Sequence, residues 1–209
     1  MSRAKPVSER NALDFYATPQ ALADAICGSL AEDWDFDTIV EPSAGHGPFV
    51  RAARRSWPEA DIIAVDCAVE RISATEAAGA NATVISDWLR FGPLPRRPDS
   101  RVLVVGNPPF RDAEAHIRHA LDIMEAGDVL AFLLRLNLLG SRSRLDLWAS
   151  TSLSEVIPVV PRPSFTGGGS DATEYAVFVW IKGEESASRL ALPLVWNKPR
   201  RDAAPREVA

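Results

Sequence analysis

The chain has 209 residues, 46% of them hydrophobic, and a formal net charge of −5, which suits one α/β domain with a substantial core. The acidic balance excludes a protein held on nucleic acid by global charge alone, and no apolar run reaches the roughly 20 residues that span a bilayer. The start, MSRAKPVSERNA, has no hydrophobic segment after its charges, unlike a secretory leader, and Cys27 and Cys67 lack metal-type spacing; both observations fit a reducing cytoplasm.

Residues 1–12 read as disordered. A helix is predicted from Pro19 to Leu30, with Thr18 as N-cap and Pro19 in the first helical position. Thr38-Ile39-Val40 reads as a buried strand stopping at Glu41-Pro42, and Phe49 to Trp57 as a helix closed by Pro58. Ile62 to Val65 is a second strand ending at Asp66, Val69 to Ala78 a helix ended by Gly79, and Thr83 to Ile85 a third strand ending at Ser86-Asp87-Trp88. After a Pro-rich loop, Val102 to Val105 forms the fourth strand. A helix near Asp112–Met124, a strand Val129–Leu134, a helix near Arg142–Ala149 and a strand Glu155–Val159 follow. The last strand, near Tyr175–Ile181, comes after a Gly-rich loop whose three consecutive glycines suggest a mobile hinge over a pocket. Strands alternating with helices predict a mostly parallel, doubly wound, Rossmann-like sheet over residues 13–196, with a flexible tail at 197–209.

Two strings carry chemistry. Glu41-Pro42-Ser43-Ala44-Gly45-His46-Gly47-Pro48-Phe49 places two glycines after the first strand, where backbone can approach a ligand closely. In such a sheet, ligands sit outside the carboxyl ends of the strands. Asp66 is there to accept two ribose hydroxyls, and Asp87 to accept an adenine amino group with Trp88 against the ring. Asn107-Pro108-Pro109-Phe110, at the end of the fourth strand, can hold a planar amino group. The Asn oxygen and a Pro carbonyl accept its N–H bonds while the aromatic ring stacks on its face. A dinucleotide-binding oxidoreductase would want a third glycine where Val50 stands, and it would leave the Asn-Pro-Pro-Phe string unexplained.

The order FYATP (Phe15 to Pro19), EPSAGHGPF (Glu41 to Phe49), AVD (Ala64 to Asp66), SDW (Ser86 to Trp88) and GNPPF (Gly106 to Phe110) resembles the gamma-class DNA adenine-N6 methyltransferases. The string RPSFTGGGSDATEYAVFVW resembles short phage- or prophage-borne members. The resemblance spans residues 15–181 and implies the S-adenosyl-L-methionine-dependent methyltransferase fold and that cofactor. It puts Thr18 on the methionine carboxylate, Glu41, Pro42, Ser43 and Gly45 along the methionine part, Asp66 on the ribose, and Asp87 with Trp88 on the adenine. Asn107 and Pro108 are implied to bind the target amine, Pro109 to stiffen the segment and Phe110 to stack on a flipped base. Phe165 is the choice for the base's other face, with Tyr175 second. Only 28 residues follow Ile181, where site-reading members carry a long recognition domain. Specificity is therefore expected either to come from loops, the tail, a partner or a second subunit, or to be low. An RNA adenine methyltransferase shares the tetrapeptide, a protein glutamine methyltransferase has its Tyr-ending form, and a non-catalytic cofactor-binding module is disfavoured by intact Asn107 and Asp66.

His46 reads as structural, and His116 with His119 as a solvated helix face without a third metal ligand. The arginine clusters at 51–55, 96–101, 142–144 and 200–201 read as solvated faces.

Overall fold

A computed structural model describes residues 17–165, 171–184, 189–191 and 193–197. The disorder expected at 1–12, the hinge at 166–170 and all of the expected tail beyond Asn197 lie outside these. Among the described residues, nine strands form one sheet: β1 (Thr38–Glu41), β2 (Asp61–Asp66), β3 (Ala82–Ile85), β4 (Val102–Gly106), β5 (Val129–Arg135), β6 (Leu153–Val160), β7 (Tyr175–Ile181), β8 (Arg189–Leu190) and β9 (Leu194–Val195). Their order is β3-β2-β1-β4-β5-β7-β6-β8, with β9 also on β6. The pairs β3-β2, β2-β1, β1-β4 and β4-β5 are parallel, and β7 runs antiparallel to both β5 and β6. The expected mostly parallel sheet is therefore present. The two-residue strands β8 and β9 were not expected, being too short to show a period.

Residues that alternate along each strand face opposite layers. Ile39, Leu103, Val105 and Ala131 face a core completed by Leu22, Ile26 and Leu30 of α1 (Gln20–Asp33) and by Phe49 and Val50 of α2 (Pro48–Ser56). Val40, Val104, Leu130 and Phe132 face a second core built on Ala113, Ile117 and Ala120 of α4 (Ala113–Ile123) and on Trp88. The strands buried on both faces read as continuous apolar runs for that reason. Two helices are shorter than expected. Val69–Arg71 is a 3-10 turn before α3 (Ile72–Ala77), and Arg142–Arg144 is another before α5 (Leu145–Ser150).

Two of the arginine clusters have folding partners. Arg51 donates to Gln20 and to the His46 carbonyl, Arg54 to the carbonyls of Pro58, Ala60 and Gly79, and Arg55 pairs with Asp24. Arg96 pairs with the buried Asp128 at 2.7 Å and Arg97 with Asp61. Arg51, Arg54 and Arg96 thus do more than form a solvated face, whereas Arg55 and Arg97 pair from exposed positions, as that reading expects.

Candidate active site

Where β1, β2, β3 and β4 end, their polar residues converge on a cavity of about 620 Å³. Thr18, Glu41, Pro42, Ser43, Gly45, Asp66, Asp87, Trp88 and Asn107 all line it, as does Pro109. The sheet topology brings together every residue singled out for the cofactor. Pro108, Phe110 and Phe165 are not among the lining residues.

The glycine turn is dictated by space and backbone shape. Gly45 and Gly47 have φ of 55° and 72°, a region that L side chains rarely adopt. A Cβ on Gly47 would also stand 2.7 Å from Ala78 Cβ. The turn delivers the chain into α2 with Pro48 at its start, where a missing N–H costs nothing. Val50 N–H, one of the helix's unpaired first-turn donors, bonds Glu41 Oε2 at 3.0 Å. Glu41 thus ties β1 to α2 from a buried position, 2% exposed. Burial pushes its carboxyl well above the usual range and the Asp66 charge adds to this, against the Val50 N–H and Arg51.

Asp66 is equally buried and its bonds are well defined. Oδ2 accepts from Gly45 N at 2.8 Å and from Arg71 Nη1 at 3.1 Å, while Oδ1 accepts from Ala68 N at 2.9 Å. Sequence reasoning missed Arg71, which lines the same cavity; no local pattern marks a side chain that folds back from a 3-10 turn.

Thr18 is not the cap of α1. Pro19 holds that position, and no described side chain caps the helix. The Thr18 hydroxyl instead accepts a bond from Asn107 Nδ2 at 3.0 Å. This orients the amide, with Nδ2 toward Thr18 and Oδ1 as its acceptor end. Asp87 accepts from Leu89 N at 3.0 Å and caps a 3-10 turn, Trp88–Arg90. Trp88 is 2% exposed; its ring stacks on Phe91, meets His119 edge-on, and its Nε1 donates to the His116 carbonyl at 3.3 Å.

The expected solvated face fails for His116. It is 6% exposed, lines the cavity, and its Nδ1 is 3.0 Å from the Asp112 carbonyl. Burial lowers its pKa, opposed by that carbonyl and by Asp112 and Asp87. The signal was in the helix period: Ala113, His116, Ile117 and Ala120 fall at i, i+3, i+4 and i+7, the buried stripe. His119 stands off that stripe, half-buried, with Nε2 2.8 Å from the Phe91 carbonyl. His46 is exposed at the cavity rim.

Beside the cavity, Phe110, Phe165 and Tyr175 form a closed aromatic cluster. Ring centroids are 6.0 Å apart for Phe110–Phe165, 5.6 Å for Phe110–Tyr175 and 4.9 Å for Phe165–Tyr175. Arg135, ending β5, places its Cζ 4.6 Å from the Phe110 centroid. Asp171 accepts from both Phe165 N and the Tyr175 hydroxyl, at 3.3 and 3.1 Å. Burial pushes that hydroxyl up to about 12; a bond to Arg135 opposes the rise and Asp171 adds to it. Sequence reasoning proposed Phe165 or Tyr175 opposite Phe110, and both rings contact it.

No family model matches the chain, and no curated protein matches it in sequence. Solved structures match it in fold. A putative class I S-adenosylmethionine-dependent methyltransferase from Listeria monocytogenes superposes with a TM-score of 0.64 at 12% identity, over 89% of this chain and 68% of that one. A modification subunit of a putative type I restriction enzyme from Vibrio vulnificus gives 0.64 at 11% identity, over 85% of this chain and 47% of that one. A putative RNA methyltransferase from Pyrococcus horikoshii gives 0.61 at 18%, over 81% and 88%. The fold is the Rossmann-like fold of class I methyltransferases.

Proposed function

We propose that the chain is an S-adenosylmethionine-dependent methyltransferase acting on the exocyclic N6 amine of an adenine in DNA. The observation that carries this reading is Asn107-Pro108-Pro109-Phe110 at the end of β4, with the Asn107 amide oriented by Thr18 at the cavity edge. The cavity's donor set fits the cofactor: carboxylates at Glu41 and Asp66 for an ammonium group and a diol, the Thr18 hydroxyl for a carboxylate, and Asp87 for an aminopurine. Its volume suits a ligand of that size.

When bound there, S-adenosylmethionine supplies a methyl group already activated by its sulfonium. Asn107 Oδ1 and the Pro108 carbonyl accept the two N–H bonds of the target amine. An adenine amine is a poor nucleophile because its lone pair is delocalised into the ring. Two acceptors fixed before the substrate arrives favour a nitrogen that keeps its lone pair. Pro108 and Pro109 bring no competing N–H donors and fix φ. Holding the amine in line is the chain's main contribution. An adenine in a duplex must first leave the stack, costing a few kcal/mol, and the Phe110 cluster supplies stacking to offset it. A cytoplasmic enzyme is consistent with two free cysteines and with no described helix long and apolar enough to cross a membrane.

An RNA adenine target uses the same amine. The deciding experiment incubates the protein with labelled S-adenosylmethionine and separate DNA, RNA and protein, then identifies the modified nucleoside or residue. N6-methyladenine in DNA is the expected product. Label only in RNA, or on a glutamine, overturns the DNA assignment.

A further inference from the structure

We infer that His116 reads the amino edge of a purine bound in the cavity, sharing the two N–H donors of that amine with Asp87. This rests on the cofactor reading above and adds a residue to it.

His116 is 94% buried, and the remaining 6% of its surface belongs to a residue that lines the cavity. Its Nδ1 lies 3.0 Å from the Asp112 carbonyl, one helical turn back. A carbonyl can only accept, so Nδ1 must carry the hydrogen, and a neutral ring then has Nε2 as an acceptor. Burial favours that neutral form, and the charged groups acting on the ring are Asp112, Asp87 and His119. Nε2 has no protein partner among the described residues. His116 lines the cavity, so Nε2 is the ring's acceptor for a ligand there that donates.

Asp87 supplies the second acceptor. Its Oδ1 caps the turn at Leu89, which leaves Oδ2 as the remaining carboxylate oxygen at the cavity. Trp88 and Leu89 also line the cavity. Two acceptors lining one cavity suit a ring with an NH₂ on its edge, which presents two donors. A 6-keto purine presents an oxygen there and would meet two acceptors. The pair therefore selects a 6-amino purine and rejects its keto counterpart, as expected where a site's buried polar group would be left unpaired.

The test is isothermal titration of the full chain with S-adenosylhomocysteine and with its analogue carrying a 6-keto group in place of the 6-amino group. Wild type should prefer the amino ligand by about tenfold or more. His116→Leu removes the acceptor and should shrink that ratio by about tenfold. His116→Gln restores an acceptor at similar reach and should keep most of it. Because the readout is a ratio within one protein, partial unfolding of a variant does not mimic the result. An unchanged ratio in His116→Leu overturns the inference. Wild type that binds neither ligand overturns the cofactor reading itself, which is a separate and recognisable outcome.

Discussion

Replacing Arg71 by methionine should tighten cofactor binding while weakening the empty protein. A carboxylate offers about four acceptor sites, and Asp66 already uses three, on Gly45 N, Ala68 N and Arg71. Holding both hydroxyls of a ribose needs two. The backbone donors belong to the turns that flank Asp66, so Arg71 is the partner that can let go. Its 3.1 Å contact is longer than the 2.7–2.9 Å of a strong charge-assisted pair. The lower end of the 1.5–3 kcal/mol range for bonds to charged groups is therefore appropriate, about 1.5 kcal/mol. Cofactor no longer has to break that bond in Arg71→Met, so the dissociation constant should fall about tenfold. The same energy is lost from the empty fold, lowering its melting temperature by about 3–6 °C for a chain of this size. Isothermal titration with S-adenosylhomocysteine and a thermal melt of the empty protein measure the two halves. Weaker binding in Arg71→Met would refute the reasoning, since Arg71 would then belong to the bound cofactor's own contacts.

Asn107→Ala should abolish methylation with cofactor affinity nearly unchanged, read by titration beside a radiolabel assay; lost affinity would move Asn107 into the cofactor site. Thr18→Val removes the acceptor that orients the Asn107 amide and should lower kcat about tenfold for a lost hydrogen bond of about 1.4 kcal/mol, with Thr18→Ser restoring it; equal rates would detach Thr18 from the chemistry. Glu41→Gln should raise the melting temperature of the empty protein at pH 7–8, and hardly change it at pH 4. A carboxyl with a raised native pKa favours the fold when protonated, so it costs stability as pH rises above the ordinary value of about 4.3; a pH-independent difference between the two proteins would contradict this. Phe165→Ala should impair methylation of paired adenine more than of unpaired adenine, because stacking worth about 1–3 kcal/mol matters most against base pairing; matched losses with a lower melting temperature would make Phe165 a packing residue only.

Strand ends were legible because the sheet converts them into a site automatically. An apolar run followed by Glu41, Asp66, Asp87 or Asn107 needs no tertiary knowledge once the strands are parallel, since their carboxyl ends share one side. Glu41 lines the cavity, but its bond to Val50 was not foreseen. That bond lies in the string itself and follows from the helix start at Pro48. Thr18 shows the limit. Its neighbour Pro19 made it look like a helix cap, yet its partner Asn107 is 89 residues away. Local grammar and tertiary contact competed for one hydroxyl, and the contact won. His116 is a different kind of miss. Its spacing put it on the buried stripe of α4, and attention to metal spacing drew the comparison to His119 instead.

The aromatic cluster sets a condition on the target site that the sequence could not show. Phe110 and Phe165 meet at 73° with centroids 6.0 Å apart, whereas a flat base held between two rings needs them parallel and separated by its own thickness on both sides. Both cannot stack on one base in this arrangement. Arg135 and Tyr175 take up further surface of Phe110. Each aromatic contact is worth about 0.5–1.5 kcal/mol and an accessible cation–π pair about 0.5–1 kcal/mol. Base stacking on an aromatic ring returns about 1–3 kcal/mol, enough to displace one such contact but not all of them. The planar guanidinium of Arg135 is the group that most resembles a base in shape, and it bonds the Tyr175 hydroxyl. Phe165 is fixed through its backbone to Asp171, which also binds Tyr175. On the proposed reading, entry of an adenine therefore requires exchange at one face of Phe110 while Asp171 keeps Phe165 and Tyr175 together, so the cluster opens as a unit or by release of Arg135 alone.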